Sequence, residues 1–275
     1  MIGAFIGDTI GSSYEGDTLK TKNFELFTYY THPTDDSVMT FAIEQALMKN
    51  YPLDLSEKGI TKLKKDTLNS IILWYKMYPK AGYGTNFKDW VLTSKTHEPY
   101  NSCGNGSAMR ISPVAYVCNS LEEVKIVSKA VTEVTHNHIE GIKGAEAIAV
   151  SIYLARTNKS KEYIKEYIIK HYYPELREMT YKKLIEHYDV SVTCQGTVPE
   201  AICCFLESED FEYALRSAIS IGGDTDTIAC MTCAIAEAYY KNIPPYINDI
   251  VEDYFDESME KQYKDFNNFL NSIIM

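Results

Sequence analysis

Residues 221–230 read IGGDTDTIAC and lead into the apolar run 227–240, and this stretch decides the character of the chain. The run repeats its apolar residues at three- and four-residue spacing, which predicts a buried α-helix. Two glycines, and two carboxylates that alternate with threonines, stand at the start of that helix. One side-chain oxygen is enough to cap a helix, so the other polar groups need a further explanation.

Helical periodicity also dominates the rest of the sequence. Residues 37–50, SVMTFAIEQALMKN, repeat their apolar side chains at helical spacing, whereas period-two alternation is scarce in the chain. Similar patterns predict helices over 56–77, 121–135, 139–157, 159–172, 180–188, 198–207, 210–220 and 245–274. We therefore predict an all-α fold, and a single domain over residues 1–275 because no long linker or low-complexity segment divides the chain.

The composition is that of a globular protein with an acidic balance. The 275 residues include 27 basic and 38 acidic side chains, a net charge of −11, and 45% of them are hydrophobic. An acidic chain without a basic stripe is not expected to bind nucleic acid. No apolar run is long enough to cross a membrane, so a membrane span is not predicted.

The N-terminus and the cysteines favour a cytoplasmic protein. The first residues, MIGAFIGDTIGSSYEGD, have no basic region and reach Asp8 early, which does not resemble a signal peptide. The seven cysteines are odd in number and several lie in apolar helical runs. This usage favours buried free thiols over disulfides or a zinc site. The oligomeric state stays open, with a monomer favoured.

A second polar motif precedes another predicted helix. Thr34, Asp35 and Asp36 stand before the helix at 37–50, as the DTDT sequence stands before the run at 227–240. Taken singly, each motif is explained by helix capping and by the positive end of the helix dipole. Adjacent carboxylates repel one another, however, unless protons or a cation intervene. If the two motifs meet, their oxygens can bind a hard divalent cation such as Mg²⁺ or Mn²⁺.

Three glycines near the N-terminus, in a segment that is also a candidate helix, indicate close packing. Gly3, Gly7 and Gly11 are spaced by four and therefore share one helical face. Glycine weakens a helix interior by up to about 1 kcal/mol, so three on one face point to a neighbouring helix at short distance.

Two loops could contact a ligand. The loop CGNGSAMR, residues 103–110, offers flexible backbone N–H groups that suit phosphate oxygens. A plain turn is the simpler interpretation of this loop. For Arg110, at its end, a structural role is favoured. His136 and His138 in THNHIEGIKGAEA are two residues apart, which does not place them on one helical face. Helix capping and ligand contacts are therefore expected there rather than zinc.

Taken together, these blocks resemble a known family. GAFIGDTIGSSYEG, TDDSVMT, GNGSAMRISPV, THNHIEGIKGAEA and GGDTDTIACMTCAIAEAYY are similar to the ADP-ribosylglycohydrolases, the family of the dinitrogenase-reductase-activating glycohydrolase. The resemblance runs from residue 3 to about residue 245, with the blocks in the family's order. The resemblance implies a compact orthogonal bundle of helices with a dinuclear Mg²⁺ or Mn²⁺ centre.

The resemblance also implies roles for individual residues. It assigns six metal ligands: Thr34, Asp35, Asp36, Asp224, Asp226 and Thr227. Among them Asp226 is expected to contact both ions. It assigns seven substrate-binding residues: Gly104, Asn105, Gly106, Ser107, His136, Gly222 and Gly223. Glu15 matches a glutamate on a segment that covers the metals in some members, so it could be a general base, a gate or an ordinary surface acid.

The implied reaction is hydrolysis of the glycosidic bond between ADP-ribose and a modified side chain, arginine first and serine second. Positive, oxocarbenium-like charge develops on the ribose, and Asp35, Asp36 or Glu15 would take the proton of the attacking water. The partner would be an ADP-ribosylated protein or a small molecule that contains ADP-ribose. Two alternatives stay open: a non-catalytic ADP-ribose-binding module and a metal-dependent phosphohydrolase.

Overall fold

The computed structural model describes residues 1–16 and 18–274, and these contain fourteen α-helices and no β-strand. The helices are α1 (Gly3–Gly11), α2 (Asp35–Asn50), α3 (Glu57–Met77), α4 (Thr85–Thr93), α5 (Ser112–Val117), α6 (Leu121–Thr132), α7 (Ile139–Arg156), α8 (Lys161–His171), α9 (Tyr181–His187), α10 (Val198–Leu206), α11 (Phe211–Ser220), α12 (Thr225–Tyr240), α13 (Pro245–Glu252) and α14 (Glu257–Ile274). The predicted all-α bundle is therefore confirmed.

Helix α12 lies at the centre of the bundle. It packs against α1, α7, α10 and α11, and nearly all of its residues are buried. A helix enclosed on all sides is apolar around its whole circumference, which explains why the run at 227–240 carries no charged stripe before its last turn. The polar residues of this helix are concentrated at its N-terminal end.

Helix α1 runs antiparallel to α12 with the two backbones in direct contact. A Cβ at Gly3, Gly7 or Gly11 would lie within 2.6 Å of backbone atoms of α12. The N–H groups of Ile2 and Gly3 donate to the carboxylate of Glu237 near the end of α12, at 2.9 and 2.8 Å. The interpretation of the three glycines as a packing face is confirmed.

Helix α2 completes the core beside α1. The rings of Phe5 and Phe41 stack with 4.4 Å between their centroids, and Phe41 stacks in turn on Trp74 of α3 at 5.2 Å. Such aromatic pairs stabilise a core by about 0.5–1.5 kcal/mol beyond the area they bury. This cluster holds the middle of α2, so its N-terminal end is directed toward the start of α12.

The C-terminal pattern at 245–274 predicts one helix, and the structure has two, α13 and α14. The reason is a new helix start at Asp256, whose Oδ1 accepts from the N–H groups of Ser258 and Met259 at 2.9 and 3.0 Å. The same carboxylate accepts from the hydroxyl of Tyr78 at 2.7 Å. Helices α4 and α5 are additional and were not predicted.

All seven cysteines are free thiols and six of them are buried, as the sequence predicts. Cys230 and Cys233 stand on successive turns of α12, and the Cys230 thiol donates to the carbonyl of Met109 at 3.3 Å. Within the described part of the chain, none of the helices combines the length and the hydropathy that crossing a bilayer requires.

The contact between α1 and α12 can be tested at Gly7. A Cβ there would lie 2.1 Å from the carbonyl oxygen of Ala229, so the helices must separate to admit it. We expect Gly7→Ala to lower the free energy of unfolding by about 2–3 kcal/mol, as overpacking does. Denaturant unfolding followed by circular dichroism measures this change.

Gly84→Ala is the matched control, because an added Cβ there meets no atom within 4 Å and the backbone φ is −59°. This variant should stay within about 0.5 kcal/mol of the wild type. Equal effects of the two substitutions would contradict a backbone contact at Gly7.

Candidate active site

A cavity of about 490 Å³ opens at the N-terminal ends of α2 and α12. Beside these two helix ends, its wall includes the loop before Arg110 and the segment 80–87. The predicted site residues that line it are Glu15, Thr34, Asp35, Asp36, Gly104, Asn105, Gly106, His136, Asp224, Asp226 and Thr227. The structure thus brings eleven predicted residues to one cavity, and it leaves Ser107, Gly222 and Gly223 outside its lining.

The two polar motifs meet through one hydrogen bond. The hydroxyl of Thr227, on α12, donates to Oδ2 of Asp36, on α2, at 3.2 Å. Both residues are buried. The other oxygen of this carboxylate, Oδ1, has no hydrogen-bond partner among the described residues. A buried carboxylate oxygen without a partner is unfavourable by itself and fits a cation ligand.

Asp8 holds the start of α2 in place. This fully buried carboxylate on α1 accepts from the N–H of Thr34 at 3.0 Å, from its hydroxyl at 2.6 Å, and from the N–H of Ser37 at 3.0 Å. The hydroxyl of Ser37 donates to it as well. Asp8 therefore fixes the helix turn that carries Asp35 and Asp36.

The carboxylates form two clusters that share one member. Oxygens of Asp8, Asp36 and Asp226 lie within 4.8 Å of one another, and so do oxygens of Glu15, Asp224 and Asp226. Asp226 is 5% exposed, and its Oδ1 accepts from the N–H of Thr227 at 2.9 Å. The shared residue is the one predicted to contact two ions.

Asp35, Asp36 and Asp226 hold protons more tightly than ordinary aspartates. Burial, and then the neighbouring charge of Asp226, raises the pKa of Asp36 well above its usual value. Burial, and then the charge of Asp224, does the same to the pKa of Asp226. Burial, and then repulsion from Asp8, raises the pKa of Asp35 to about 8. The site therefore favours protons or a cation over bare negative charge.

Asp35 is the most accessible acid of the α2 motif. It lines the cavity opposite Gly82, where a Cβ would lie 3.1 Å from its Oδ1. The φ of Gly82 is +109°, a backbone conformation that favours glycine. Thr34, next to it, is the N-cap of α2 and accepts from the N–H of Asp36, so the expected capping role is confirmed there.

The expected capping bond at the start of α12 is absent from the structure. Asp224 occupies the N-cap position, but its side chain makes no cap hydrogen bond. Its Oδ2 instead accepts from the amide of Asn105 at 2.6 Å. The hydroxyl of Thr225 donates to the carbonyl of Gly11 at 2.8 Å, so this residue ties α12 to α1 and points away from the carboxylates.

The glycine loop is anchored by a neighbouring segment. Gly104 forms an isolated antiparallel bridge with Thr193, and the N–H of Asn105 donates to the carbonyl of Val192 at 3.0 Å. Ser107 is fully buried, and its hydroxyl donates to the carbonyl of Gly141 at 2.9 Å. Its side chain therefore packs into the bundle, and a contact of Ser107 with a ligand stays a prediction.

The two histidines have separate roles. His138 is the N-cap of α7, and its Nδ1 accepts from the N–H of Glu140 at 3.1 Å, as expected of a capping residue. His136 is 4% exposed and lies below the glycine loop, at the cavity. Burial, and then the charge of Arg110, lowers the pKa of His136 well below its usual value, so the ring is neutral.

Gly222 and Gly223 shape the turn into α12. Their φ angles are +78° and +83°, which other residues rarely adopt. The carbonyl of Gly223 accepts from the N–H of Gly16 at 2.8 Å, and this bond holds the segment of Glu15 beside the second carboxylate cluster. The two glycines therefore position a side chain of the site instead of lining the cavity.

The pKa of Glu15 is shifted by burial and by the charge of Asp224. The two effects raise the pKa of this partly exposed carboxylate, with burial the larger cause. A carboxylate with a raised pKa can take a proton from water more readily near neutral pH.

Sequence reasoning missed two parts of the site. Asp8 was considered only as a charge near the N-terminus, although an acid in the middle of an apolar, glycine-rich helix signals a buried, hydrogen-bonded role. The segment 80–87, which contributes Tyr83 and Phe87 to the cavity wall, shows no polar motif that could have marked it.

Comparisons with known proteins identify a family and several relatives. The model of the ADP-ribosylglycohydrolase family matches residues 1–270. The chain is 26% identical to ADP-ribosylhydrolase ARH3 of Mus musculus, with 87% of this chain and 82% of that protein covered. It is 22% identical to ADP-ribosylarginine hydrolase Tri1 of Pseudomonas putida (strain GB-1), with 89% of this chain and 71% of that protein covered.

A solved structure of an ADP-ribosylglycohydrolase-related protein complex has the same fold. It matches with a TM-score of 0.66 at 22% identity, and the match covers 95% of this chain and 93% of that one.

The raised pKa values predict how the metal-free protein responds to pH. The folded state binds protons that the unfolded chain releases at about pH 4, so the buried carboxylates lower the stability as the pH rises from about 4 to 8. Asp36→Asn removes one of these charges. In EDTA-treated protein it should raise the free energy of unfolding at pH 8 by about 1 kcal/mol or more, and the gain should vanish near pH 4.

Denaturant unfolding at a series of pH values measures this difference, with Asp89→Asn as the control. Asp89 is exposed on α4, so its replacement should change the free energy of unfolding by no more than about 0.5 kcal/mol. A loss of stability in Asp36→Asn that is the same at pH 8 and pH 4 would contradict the raised pKa.

Proposed function

The chain belongs to the ADP-ribosylglycohydrolase family, and we propose that it hydrolyses the glycosidic bond between ADP-ribose and a modified protein side chain, with release of ADP-ribose. We propose arginine as the first linkage to test and serine as the second. The relative from Pseudomonas putida is named as an ADP-ribosylarginine hydrolase, which supports this order.

One observation carries the proposal: two carboxylate clusters share Asp226 beside a cavity that is bordered by a glycine loop. A non-catalytic binding module would need the loop and the cavity but has no use for buried acids that repel one another. The acids are unfavourable for folding, so their presence supports a chemical role.

The donor set fits hard divalent cations. Every candidate ligand atom is oxygen, and Oδ1 of Asp36 is buried without a partner among the described residues. The proposed ligands of two Mg²⁺ or Mn²⁺ ions are Thr34, Asp35, Asp36, Asp224, Asp226 and Thr227. Asp8 is engaged by α2 and would orient ligands rather than serve as one. When bound, such ions supply Lewis acidity and lower the pKa of water.

Different residues of the chain would serve different steps of the reaction. The backbone of the glycine loop would bind the diphosphate, and this fixes the ribose against the carboxylates. As the bond between the anomeric carbon and the leaving group breaks, positive charge develops on the ribose and is stabilised by the nearby acids. Water adds to the anomeric carbon and gives a proton to Glu15 or Asp35, and the leaving guanidine or seryl oxygen takes up a proton.

Turnover of defined substrates tests the proposal. We expect the protein to release ADP-ribose from an ADP-ribosyl-arginine peptide in the presence of Mg²⁺ or Mn²⁺, with ADP-ribosyl-serine peptide as the second substrate. EDTA should abolish the release and added metal should restore it. Chromatographic detection of free ADP-ribose measures the reaction.

The alternatives predict different products in the same assay. Release of phosphate or AMP without ADP-ribose would indicate a phosphohydrolase. Binding of ADP-ribose with no turnover of any linkage would indicate a binding module. Either result would overturn the proposed hydrolase.

Asp226→Asn tests the shared position of the two clusters. Asn keeps the size of the side chain but removes the charge that both clusters share, so we expect a loss of metal and a decrease in kcat/KM of about 100-fold or more. Metal content after gel filtration and initial rates measure the two effects. Asp89→Asn should keep both, and unchanged metal and rates in Asp226→Asn would show that the assigned centre is wrong.

A further inference from the structure

We propose that Arg110 and Thr135 hold His136 in the tautomer that carries its proton on Nε2, so that Nε2–H donates to an oxygen of the bound ADP-ribose. Arg110 and Thr135 are then positioning residues, and His136 makes the contact. This inference rests on the proposed function for the identity of the ligand. The hydrogen-bond relay itself does not depend on it.

The relay begins with a buried cation. Arg110 is 1% exposed, and its Nη2 donates to the hydroxyl oxygen of Thr135 at 2.7 Å. No other hydrogen bond of this guanidinium is formed with the described residues, and no carboxylate pairs with it within salt-bridge distance there. A buried arginine with one neutral partner is unfavourable for folding by itself, so its presence at the cavity wall supports a role toward its neighbours.

The hydroxyl of Thr135 then has one proton to donate and two candidate acceptors. Nδ1 of His136 lies at 2.7 Å, and the carbonyl oxygen of Thr132 lies at 3.5 Å. Hydroxyl donors normally lie about 2.5–3.0 Å from their acceptors. Of the two distances, only the one to Nδ1 falls in this range. The proton therefore points to His136, and Nδ1 is the acceptor.

Electrostatics favours the same tautomer. A neutral imidazole has a proton on one nitrogen and a lone pair on the other. The positive charge of Arg110 lies on the Nδ1 side of the ring, where a lone pair is stabilised and an N–H is not. Because the ring is neutral, its only proton must be on Nε2.

Nε2 faces the place where the ligand would bind. A Cβ at Gly106 would lie 3.4 Å from Nε2, and one at Gly104 would lie 3.7 Å from it, so the absence of side chains leaves this nitrogen open. His136 lines the cavity, and within the described chain Nε2 has no hydrogen-bond partner. The ring of Tyr100 lies beside it, with 5.9 Å between the two ring centroids. An unpartnered N–H donor here suits a phosphate or ribose oxygen.

The tautomer can be measured directly in the wild-type protein without any ligand. Two-bond ¹H–¹⁵N correlation spectra of protein labelled with ¹⁵N-histidine distinguish a protonated nitrogen from an unprotonated one. We expect the His136 signals of the Nε2–H form. Signals of the Nδ1–H form would overturn the proposal, and this result needs no variant to fold.

Thr135→Val removes the hydroxyl and keeps the shape of the side chain. We expect the His136 spectrum to shift toward a mixture of tautomers and the affinity for ADP-ribose, measured by calorimetry, to fall about tenfold, the contribution of one hydrogen bond. Thr135→Ser restores the hydroxyl and should recover the Nε2–H spectrum and most of the affinity. A purely structural role of Thr135 would change stability but not the tautomer.

Thr67→Val is the matched control, because Thr67 is a buried threonine on α3 whose hydroxyl has no partner among the described residues. It should leave the His136 spectrum and the affinity unchanged. If Thr135→Val also leaves both unchanged, the relay is wrong. If the wild type shows the Nε2–H form but does not bind ADP-ribose, the proposed function and the ligand named here fail, whereas the relay is upheld.

Discussion

The rest of the structure depends on the backbone contact between α1 and α12. Three glycines let the helices approach until side chains of any size are excluded, and polar bonds fix both ends of the contact. Glu237 of α12 caps the start of α1, and Thr225 binds the carbonyl of Gly11 at its end. Because this contact fixes the two helices, carboxylate oxygens of Asp8 on one and Asp226 on the other lie within 4.8 Å of each other.

The contact between α1 and α12 also fixes the start of α2. Asp8 accepts hydrogen bonds from backbone and side chains at the start of α2, so the position of Asp36 is determined by α1 and not by α2 alone. The bond from Thr227 to Asp36 then closes the connection between α2 and α12. The candidate centre is thus assembled from three helix segments, and each is held by hydrogen bonds to another.

The same assembly concentrates negative charge where water is excluded. Burial and mutual repulsion raise the pKa of Asp36 and Asp226, which means that the metal-free centre is a source of instability. Folding energy from the large apolar core offsets this term. Among the described residues, the other side of the cavity has no carboxylate cluster; it is formed by the neutral His136, the buried Arg110 and the backbone of the glycine loop. Such a surface favours anionic oxygen. A ligand that has phosphates at one end and a sugar at the other matches this division.

Much of this could be predicted from the sequence because the signals were local. The apolar period of α12, the glycine spacing of α1, and the concentration of acids before α2 and α12 are properties of short segments. They were sufficient for the all-α class and for the carboxylates that line the cavity. The order of the motifs was sufficient for the family, which the match over residues 1–270 confirms.

Only the tertiary structure decides which side-chain oxygens of the site already have hydrogen-bond partners. The sequence predicts Asp224 as a helix cap, but its Oδ2 accepts from the amide of Asn105. It predicts Ser107 as a loop residue, but the hydroxyl of Ser107 donates to the carbonyl of Gly141. Asp8 shows no motif, but it organises α2 from a different helix. Hydrogen-bond partners far apart in sequence are chosen by packing, and no local pattern can specify them. The sequence by itself therefore determined the residue types of the site, and the packing of α1 against α12 determined what each of them can bind.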